Sequence, residues 1–396
     1  MSFVAKRISN IHESVIRGLT VYANSQGAIN LGQGSPDFGP PKELLEAAVE
    51  ALQSGYNQYV PTWGLPELRE AISKKTERFY GFLPNPDTEV TVTCGVTEAV
   101  ISALLAVIGA GDNVLVLEPA HENYYAGIIF AGANAVWLPL KPPNFELDAD
   151  ELRKAFVEKD LKAIIFNTPH NPSGRVFSLE ELQLIADLCI EFDVIAISDE
   201  IYEHMVFDGL KHIPIATLDG MADRTITISG LSKTYSVTGW RIGYAIAQPE
   251  LTTALRKVHD FTTICAPSPL QKAAVTAINF KQEYYDWLEH HYLERRERVI
   301  PMLNSLGFKA PSPSGAYYTM ADFTQIADTL GLSYSDNDFS YWLIKHLGIG
   351  TIPAGSFYKS DPNLGLGHVR FAFPKKDQTL DQVEERFEKL RKMMNT

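Results

Sequence analysis

Lys233 and Arg241 are the residues of this chain best placed to do chemistry. Both lie in a Gly/Ser-rich segment that follows residues 225–229, an apolar, β-branched run that predicts a buried strand. A lysine at the carboxyl edge of a sheet can form a Schiff base with a carbonyl cofactor, and a nearby arginine can hold a phosphate on that cofactor. Because most lysines are simply exposed, the functional interpretation of this segment depends on further signals elsewhere in the chain.

Asn171 follows a second apolar run, residues 162–166, in a segment whose Asn-Pro and Ser-Gly pairs predict a turn. Such a turn would hold the Asn171 amide at the end of the strand. From there the amide could donate a hydrogen bond to a ring oxygen or bind a carboxylate.

Asp199 follows a third run of this kind, residues 194–198. Its carboxylate could cap a helix, or it could be the anion that keeps a pyridine nitrogen protonated. Tyr202 lies one helical turn further, so its hydroxyl could face the same ligand. The spacings, 28 residues from Asn171 to Asp199 and 34 from Asp199 to Lys233, each fit about one strand-plus-helix unit. We therefore expect these side chains at the carboxyl ends of neighbouring parallel strands, where open α/β sheets place their sites.

Two further segments carry candidate anion-binding groups. Residues 95–97, Gly-Val-Thr, follow the predicted strand 90–93 and begin a predicted helix, 98–107, where backbone N–H groups could bind phosphate or form an ordinary turn. No G-x-G-x-x-G motif follows a strand, which argues against a dinucleotide site. Arg370 interrupts an apolar strand pattern, either as a rim residue with a buried stem or as a ligand for a carboxylate.

These segments resemble those of fold-type I pyridoxal 5′-phosphate (PLP) enzymes of the class I and II aminotransferase group, nearest the branch of kynurenine/glutamine and methionine aminotransferases. The resemblance covers nearly the whole chain, and the motifs occur in the family's order. The segments that carry it are residues 30–38, 57–59, 93–99, 167–174, 199–202, 229–243 and 368–373.

The resemblance implies a transaminase in which Lys233 holds PLP as an internal aldimine and moves the Cα proton of the amino acid. Asp199 would pair with the ring N–H, while Tyr202 and Asn171 would donate to the ring oxygen O3′. The phosphate would lie on Gly95, Val96, Thr97, Ser232 and Arg241, and on the partner subunit's Tyr59 in a homodimer.

The substrate carboxylate would bind Arg370, helped by Asn171 and the backbone at Gly34. Because no second arginine can be assigned to a distal carboxylate, a neutral or aromatic amino donor is favoured over aspartate. Trp63, Tyr124 and Tyr22 could line an apolar pocket for its side chain or belong to the core.

His121 departs from the family pattern, which has an aromatic residue stacked on the pyridine ring at this position. An imidazole can stack too, but it can also carry a proton. Ala120 and Ser35 stand where this branch would have phenylalanine, which suggests a roomier pocket, and Gly230 replaces a common phosphate-binding serine, which makes Ser232 the phosphate candidate. The alternative on the same scaffold is a PLP-dependent amino-acid oxidase or a β/γ-lyase.

The composition sets limits on location and partners. A net charge of −13 argues against nucleic acid, which needs a basic patch. Cys94, Cys189 and Cys265 lie far apart without a C-x-x-C motif, so neither a disulfide nor a metal site is expected. The start of the chain lacks a signal-peptide core, and the longest apolar run, residues 99–110, is too short to span a bilayer. We expect a cytoplasmic enzyme that does not bind membranes.

The order of predicted elements indicates an α/β, three-layer PLP-dependent transferase fold like that of aspartate aminotransferase. Strands and helices alternate between about residues 90 and 250, which predicts a mostly parallel sheet flanked by helices. We expect a large domain over residues 40–285 and a smaller α/β domain formed by residues 1–39 and 286–396. His12 in the first segment could fold over the site, although a solvated surface histidine is the more common case.

Overall fold

The computed structural model describes residues 3–11 and 13–395, so His12 lies outside the described residues. The strands within that part of the chain are β1 (Ile29–Asn30), β2 (Val90–Thr93), β3 (Asn113–Glu118), β4 (Asn134–Pro139), β5 (Leu161–Asn167), β6 (Ile195–Asp199), β7 (Thr225–Gly230), β8 (Gly243–Ile246), β9 (Tyr318–Asp322), β10 (Ile349–Gly350), β11 (Ile352–Pro353) and β12 (His368–Ala372).

Helices separate most of these strands. They are α1 (Val15–Ser25), α2 (Lys42–Gln53), α3 (Pro66–Tyr80), α4 (Val96–Val107), α5 (Glu122–Ala131), α6 (Ala149–Glu158), α7 (Leu179–Glu191), α8 (Leu231–Thr234), α9 (Pro249–Thr262), α10 (Ser268–Ile278), α11 (Gln282–Ser305), α12 (Thr324–Leu330), α13 (Asp336–Leu347) and α14 (Asp377–Met394).

Seven strands form the central sheet, in the order β2-β8-β7-β6-β5-β3-β4. The pairs from β7 to β4 are parallel, whereas β8 runs antiparallel to both of its neighbours. The carboxyl ends of β5, β6 and β7 therefore lie side by side at one edge of the sheet.

Alternating side chains bury both faces of this sheet. In β3, Val114 and Val116 pack into the core that contains α4 and α5. Leu115 and Leu117, which point the other way, pack into the core that contains α6 and α7. Parallel strands covered on both faces read as continuous apolar runs, as these do. The predicted α/β architecture, a mostly parallel sheet between helices, is confirmed.

The remaining strands form smaller sheets near the carboxyl end of the chain. β11, β12 and β9 form an antiparallel sheet, and β1 pairs with β10 through Ile29 and Ile349, so the N-terminal segment returns to the C-terminal part. The rings of Phe323 and Phe339 stack at 3.8 Å in the core beneath these sheets. β12 carries Arg370 opposite Met320 of β9. Nowhere in the described ranges is there a helix with the length and apolar character of a membrane span.

Candidate active site

A cavity of about 290 Å³ opens at the carboxyl edge of β5, β6 and β7. It brings together most of the residues that the sequence singled out, although they come from distant parts of the chain. The predicted residues in its lining are Gly34, Val96, Thr97, His121, Asn171, Asp199, Tyr202, Ser232, Lys233, Arg241 and Arg370.

Lys233 reaches the cavity from α8, the single helical turn that follows β7. Its Nζ donates a hydrogen bond of 2.7 Å to the carbonyl oxygen of Gly34 and lies 5.8 Å from the ring centres of Tyr202 and Tyr317. Burial lowers the pKa of Lys233, and the nearby guanidinium of Arg370 lowers it further. A lowered pKa increases the share of neutral amine, the form that attacks a carbonyl carbon.

Asp199 is the last residue of β6, and its carboxylate is buried. Oδ2 accepts a hydrogen bond of 2.7 Å from the Tyr124 hydroxyl, and Oδ1 accepts one of 3.2 Å from the backbone N–H of Ile201. Burial raises the pKa of Asp199 to about 6. The residues that follow form turns and no helix, so the helix-capping interpretation of this carboxylate is wrong.

Arg370 and Asn171 meet across the cavity, 199 residues apart in sequence. Arg370 Nη1 donates to Asn171 Oδ1 at 2.7 Å, and Nη2 donates to the Gly32 carbonyl oxygen at 2.5 Å. Tyr318 and Phe357 cover the buried guanidinium with their rings, at 4.5 and 4.7 Å. Within the described part of the chain, no carboxylate forms an ion pair with Arg370, and its Nε has no hydrogen-bond partner. A carboxylate entering the cavity would find a cation without a counter-ion.

The start of α4 forms the anion-binding corner of the cavity. Gly95 precedes the helix with φ +80°, and no side chain caps the first N–H groups. Arg241 lies against this glycine, where a Cβ atom would come within 2.2 Å of Nη2. Free helix N–H groups and a guanidinium thus converge on one point, an arrangement that suits phosphate. Ser232 lines the same cavity.

Tyr202 and His121 are both held by neighbours. The Tyr202 hydroxyl hydrogen-bonds the Tyr318 hydroxyl at 2.9 Å, and burial raises its pKa well above the ordinary value. His121 lies at the start of α5, where its Nδ1 is 3.4 Å from the backbone N–H of Asn123 and also contacts the Oδ1 atom of that side chain. Burial lowers the pKa of His121, against the opposing effect of Glu122, which favours the neutral form of the ring.

Among the cavity residues that were not predicted as part of the site, or only loosely, three hydrogen-bond to predicted residues. Tyr124, considered from the sequence as a pocket or core residue, holds Asp199. Asn167 also supports this strand end, because its Nδ2 donates to the Asp199 carbonyl oxygen at 2.6 Å. The Asn167-to-Asn171 motif contained this signal. Tyr318 gave no local signal, because β9 reaches the site only through the tertiary fold.

The other predicted aromatic residues lie elsewhere. Tyr59 is 79% exposed and lines a separate surface pocket with Cys94 and Cys265, so it does not reach the cavity of its own chain. Trp63 packs under Arg256, with the guanidinium 5.0 Å from its ring. Tyr22 packs against Tyr341 at 5.1 Å. Neither Trp63 nor Tyr22 is among the cavity's lining residues.

Comparisons with known proteins agree with this geometry. Residues 26–387 match the family model described as aminotransferase class I and II. The solved structure of N-succinyldiaminopimelate aminotransferase from Mycobacterium tuberculosis is 36% identical, covers 98% of this chain and 100% of its own, and superposes with a TM-score of 0.93.

Two further relatives are similarly close. Kynurenine–oxoglutarate transaminase 3 of Bos taurus is 39% identical over 409 residues, which are 96% of this chain and 89% of that protein. The structure of YbdL from Escherichia coli, a protein identified as having a methionine aminotransferase function, is 31% identical, with a TM-score of 0.91 over 99% of this chain and 100% of that chain.

The chain belongs to the class I and II aminotransferase family. It is a PLP-dependent aminotransferase with the aspartate aminotransferase-like fold, and it acts on an amino acid and a 2-oxo acid. The predicted family, branch, activity and cofactor are confirmed. Because these relatives are named as aminotransferases, the comparisons do not favour the oxidase or lyase alternative.

Proposed function

We propose that Lys233 carries PLP in this aminotransferase and moves the proton from Cα of the amino donor. PLP supplies an electron sink at the reacting carbon when it is bound. The observation that carries the proposal is the convergence of Lys233, Asp199 and Arg370 on one cavity, from three different elements. The lowered pKa of Lys233 suits a group that first reacts as a free amine and then accepts a proton.

Asp199 is proposed to face the ring nitrogen of the cofactor and keep it protonated. A buried carboxylate without a cationic partner among the described residues suits this task, because a ring N–H⁺ would supply the missing charge. Tyr124 orients the carboxylate. Tyr202 and Asn171 are proposed to donate to the ring oxygen; since Asn171 Oδ1 accepts from Arg370, its Nδ2 is the atom left to donate.

The phosphate of the cofactor is proposed to bind Gly95, Val96, Thr97, Ser232 and Arg241. The close approach of the Arg241 guanidinium to Gly95, where a Cβ atom would clash with Nη2, supports this fit.

We further propose a homodimer in which the partner subunit's Tyr59 completes this phosphate site. The support is that Tyr59 of one chain is largely exposed and lines a pocket away from its own cavity.

The substrate carboxylate is proposed to bind Arg370, with Asn171 and the backbone at Gly34 beside it. A bidentate contact would replace the missing counter-ion of this buried guanidinium. The neutral face of His121 is proposed to stack on the cofactor ring. Its lowered pKa supports a neutral imidazole rather than a proton donor.

A neutral or aromatic amino donor is proposed. Arg241 and Arg370 are the arginines of the cavity lining, and both have proposed ligands. The names of the relatives refer to kynurenine, methionine and an N-succinylated diamino acid, so membership of the family leaves the donor side chain open.

We also propose the division into a large domain, residues 40–285, and a small domain, residues 1–39 and 286–396. It is supported by separate cores around the central sheet and around the C-terminal sheets. A cytoplasmic location is proposed because Cys94, Cys189 and Cys265 are free thiols.

A single-turnover absorbance experiment tests the proposed function. Purified protein loaded with PLP is mixed with a panel of amino acids while oxygen is recorded in the same cuvette. We expect the absorbance of the lysine-bound cofactor to give way to that of pyridoxamine phosphate, without oxygen uptake. Catalytic oxygen uptake without an added 2-oxo acid would contradict the proposal.

A further inference from the structure

A groove of about 910 Å³ continues from the active-site cavity, since Thr97, His121 and Asn123 line both. Pockets for small molecules usually span about 300–1,000 Å³. The inner cavity, about 290 Å³, lies at the lower end of that range and must hold both the cofactor and the reacting atoms. A long donor side chain must therefore leave the inner cavity, and the groove is the space that adjoins it.

One wall of the groove is aromatic. Tyr125 on α5 and Trp137 on β4 lie with ring centres 5.6 Å apart, at an angle of 51°. Ala126, the next residue on α5, lines the same groove with a small side chain. A flat apolar group would bury its surface here.

Another part of the groove lining, which includes Tyr358 and Lys359, is hydrogen-bonded to the turn that carries His121. Glu118, the buried last residue of β3, accepts hydrogen bonds from the backbone N–H of Lys359 and of Ser360, the latter at 3.2 Å. Ala120 N–H donates to the Phe357 carbonyl oxygen at 2.8 Å. These hydrogen bonds attach the segment around Lys359 to the end of β3, the strand that precedes His121 and α5. The position of the groove relative to the inner cavity is therefore fixed.

The start of helix α1 also lines the groove. Ser14, its N-cap, donates to Oε1 of Glu122 on α5 at 2.5 Å. This contact places Arg17 at the rim, where its guanidinium forms no ion pair or hydrogen bond that the described residues show. Lys359 also lies at the rim, and Glu13 is the rim carboxylate that is not occupied by a hydrogen bond in the described structure. The groove is thus lined by two cations, Arg17 and Lys359, and by three carboxylates, of which Glu122 and Asp336 already accept hydrogen bonds.

We propose that the groove is the side-chain subsite of the amino donor, on the basis of the transaminase function proposed above. The donor's side chain passes Thr97 and His121, and its flat apolar part lies on Trp137 and Tyr125. A hydrogen-bond acceptor or carboxylate at its far end pairs with Arg17. The matching substrate class is an amino acid with a long side chain, an aromatic middle and a distal acceptor.

Steady-state kinetics of the holoenzyme with L-alanine, L-phenylalanine and 4-carboxy-L-phenylalanine test this assignment. In Trp137→Ala, the ratio of kcat/KM for phenylalanine to that for alanine should fall about tenfold. Trp287→Ala, which removes a half-exposed tryptophan of α11 outside the groove, is the control and should leave the ratio unchanged. Ala126→Phe, which fills the groove, should lower the same ratio and serves if Trp137→Ala does not fold.

Arg17 is tested with the third donor. Arg17→Gln should lower kcat/KM for 4-carboxyphenylalanine about tenfold relative to phenylalanine. Arg391→Gln, in a surface pair with Glu388 on α14, is the control. A readout without turnover is the binding of 3-phenylpropanoate to the holoenzyme by calorimetry, where Trp137→Ala should raise Kd about tenfold.

Equal losses with alanine and phenylalanine, or an unchanged ratio in both groove variants, would overturn the subsite. An unchanged preference in Arg17→Gln would overturn the distal contact. These failures differ from a failure of the proposed function, in which the unmodified enzyme would transaminate none of the donors.

Discussion

At the scale of single residues, the site holds buried charges that lack counter-ions among residues 3–11 and 13–395. Asp199 is held by the neutral Tyr124 hydroxyl, and Arg370 by the amide of Asn171 and the carbonyl of Gly32. Such burial costs free energy unless an opposite charge arrives. The free energy of binding is therefore most favourable for a ligand that places a cation near Asp199 and an anion near Arg370.

Replacing Lys233 with alanine should lower turnover by at least about 10⁴-fold, because the residue that carries the cofactor and the proton is lost. The visible absorbance band of the lysine-bound cofactor should disappear as well. Lys257→Ala, an exposed lysine on α9, is the control and should keep both. A Lys233→Ala enzyme with undiminished turnover would contradict the assignment.

Asp199 should make the stability of the cofactor-free protein depend on pH. Burial raises the pKa of its carboxyl from 3.8 to about 6, so the folded protein binds this proton more tightly than the unfolded chain. Its contribution to stability is fully present below pH 3.8 and is lost as the pH rises through about 6.

In Asp199→Asn this loss should be absent. The difference from the unmodified protein should amount to about 2–3 kcal/mol in the free energy of unfolding between pH 4 and 6.5. Thermal unfolding across that range measures it, with the exposed Asp219→Asn as control. If the stability of the unmodified protein and of Asp199→Asn changed with pH in parallel, the pKa of Asp199 would not be raised by folding.

At the scale of elements, the carboxyl ends of β5, β6 and β7 do the positioning. The predicted strands at 162–166, 194–198 and 225–229 agree with the observed strands to within about one residue. Their apolar runs and the turn residues that follow them are local signals, so the positions of Asn171, Asp199 and Lys233 could be predicted. The start of α4 after Gly95 could be predicted for the same reason.

Gly95→Ala and Gly81→Ala form a matched pair of substitutions that tests the phosphate site at the start of α4. Their φ angles are +80° and +79°, but a Cβ atom at Gly95 would strike Arg241, whereas nothing lies within 4 Å at Gly81. Gly81→Ala should cost about 1–2 kcal/mol of stability from backbone strain alone. Gly95→Ala should add a loss of phosphate affinity, measured by titrating the cofactor-free protein with inorganic phosphate. Equal phosphate affinity in both variants would argue against the cradle.

A buried ion pair supports the turn behind the site. Lys75 on α3 forms an ion pair with Glu203, whose other carboxylate oxygen accepts from Ser229 at 2.6 Å and Tyr244 at 3.1 Å. The turn that follows Asp199 is thereby tied to β7 and β8, the strands next to Lys233.

Lys75→Met should lower the free energy of unfolding by about 3–5 kcal/mol, because it leaves the Glu203 carboxylate buried without its cation. Lys42→Met is the matched control: it breaks an exposed pair with Glu46 on one helix and should change stability by less than about 0.5 kcal/mol. Chemical denaturation of both variants measures the difference. Similar small effects would mean that the buried pair does not anchor the turn.

At the scale of the whole molecule, Tyr59 makes assembly part of the proposed mechanism. Tyr59→Phe should weaken PLP binding about tenfold, since a hydrogen bond to a charged group is worth about 1.5–3 kcal/mol. Fluorescence titration of the cofactor-free protein measures the affinity, and light scattering measures the mass in solution. Tyr341→Phe, at another exposed tyrosine, is the control. A monomer that binds PLP equally well with either variant would contradict the shared site.

The sequence by itself determined four strands of the central sheet, β2, β5, β6 and β7, and the residues at their ends, because strand periodicity and turn chemistry act over a few positions. It also determined the family, because the motifs occur in a recognisable order. The contacts that those residues make could not be predicted from the sequence alone. Arg370 binds Asn171 across 199 residues of sequence, and Tyr202 meets Tyr318 across 116.

Only the tertiary structure decided which neutral groups hold the buried charges, and that a groove bounded by Trp137 and Arg17 adjoins the cavity. These features depend on how β4, α1 and the C-terminal sheet pack against the site. Packing between distant elements is set by the shape of the whole fold, and no local pattern of residues records it.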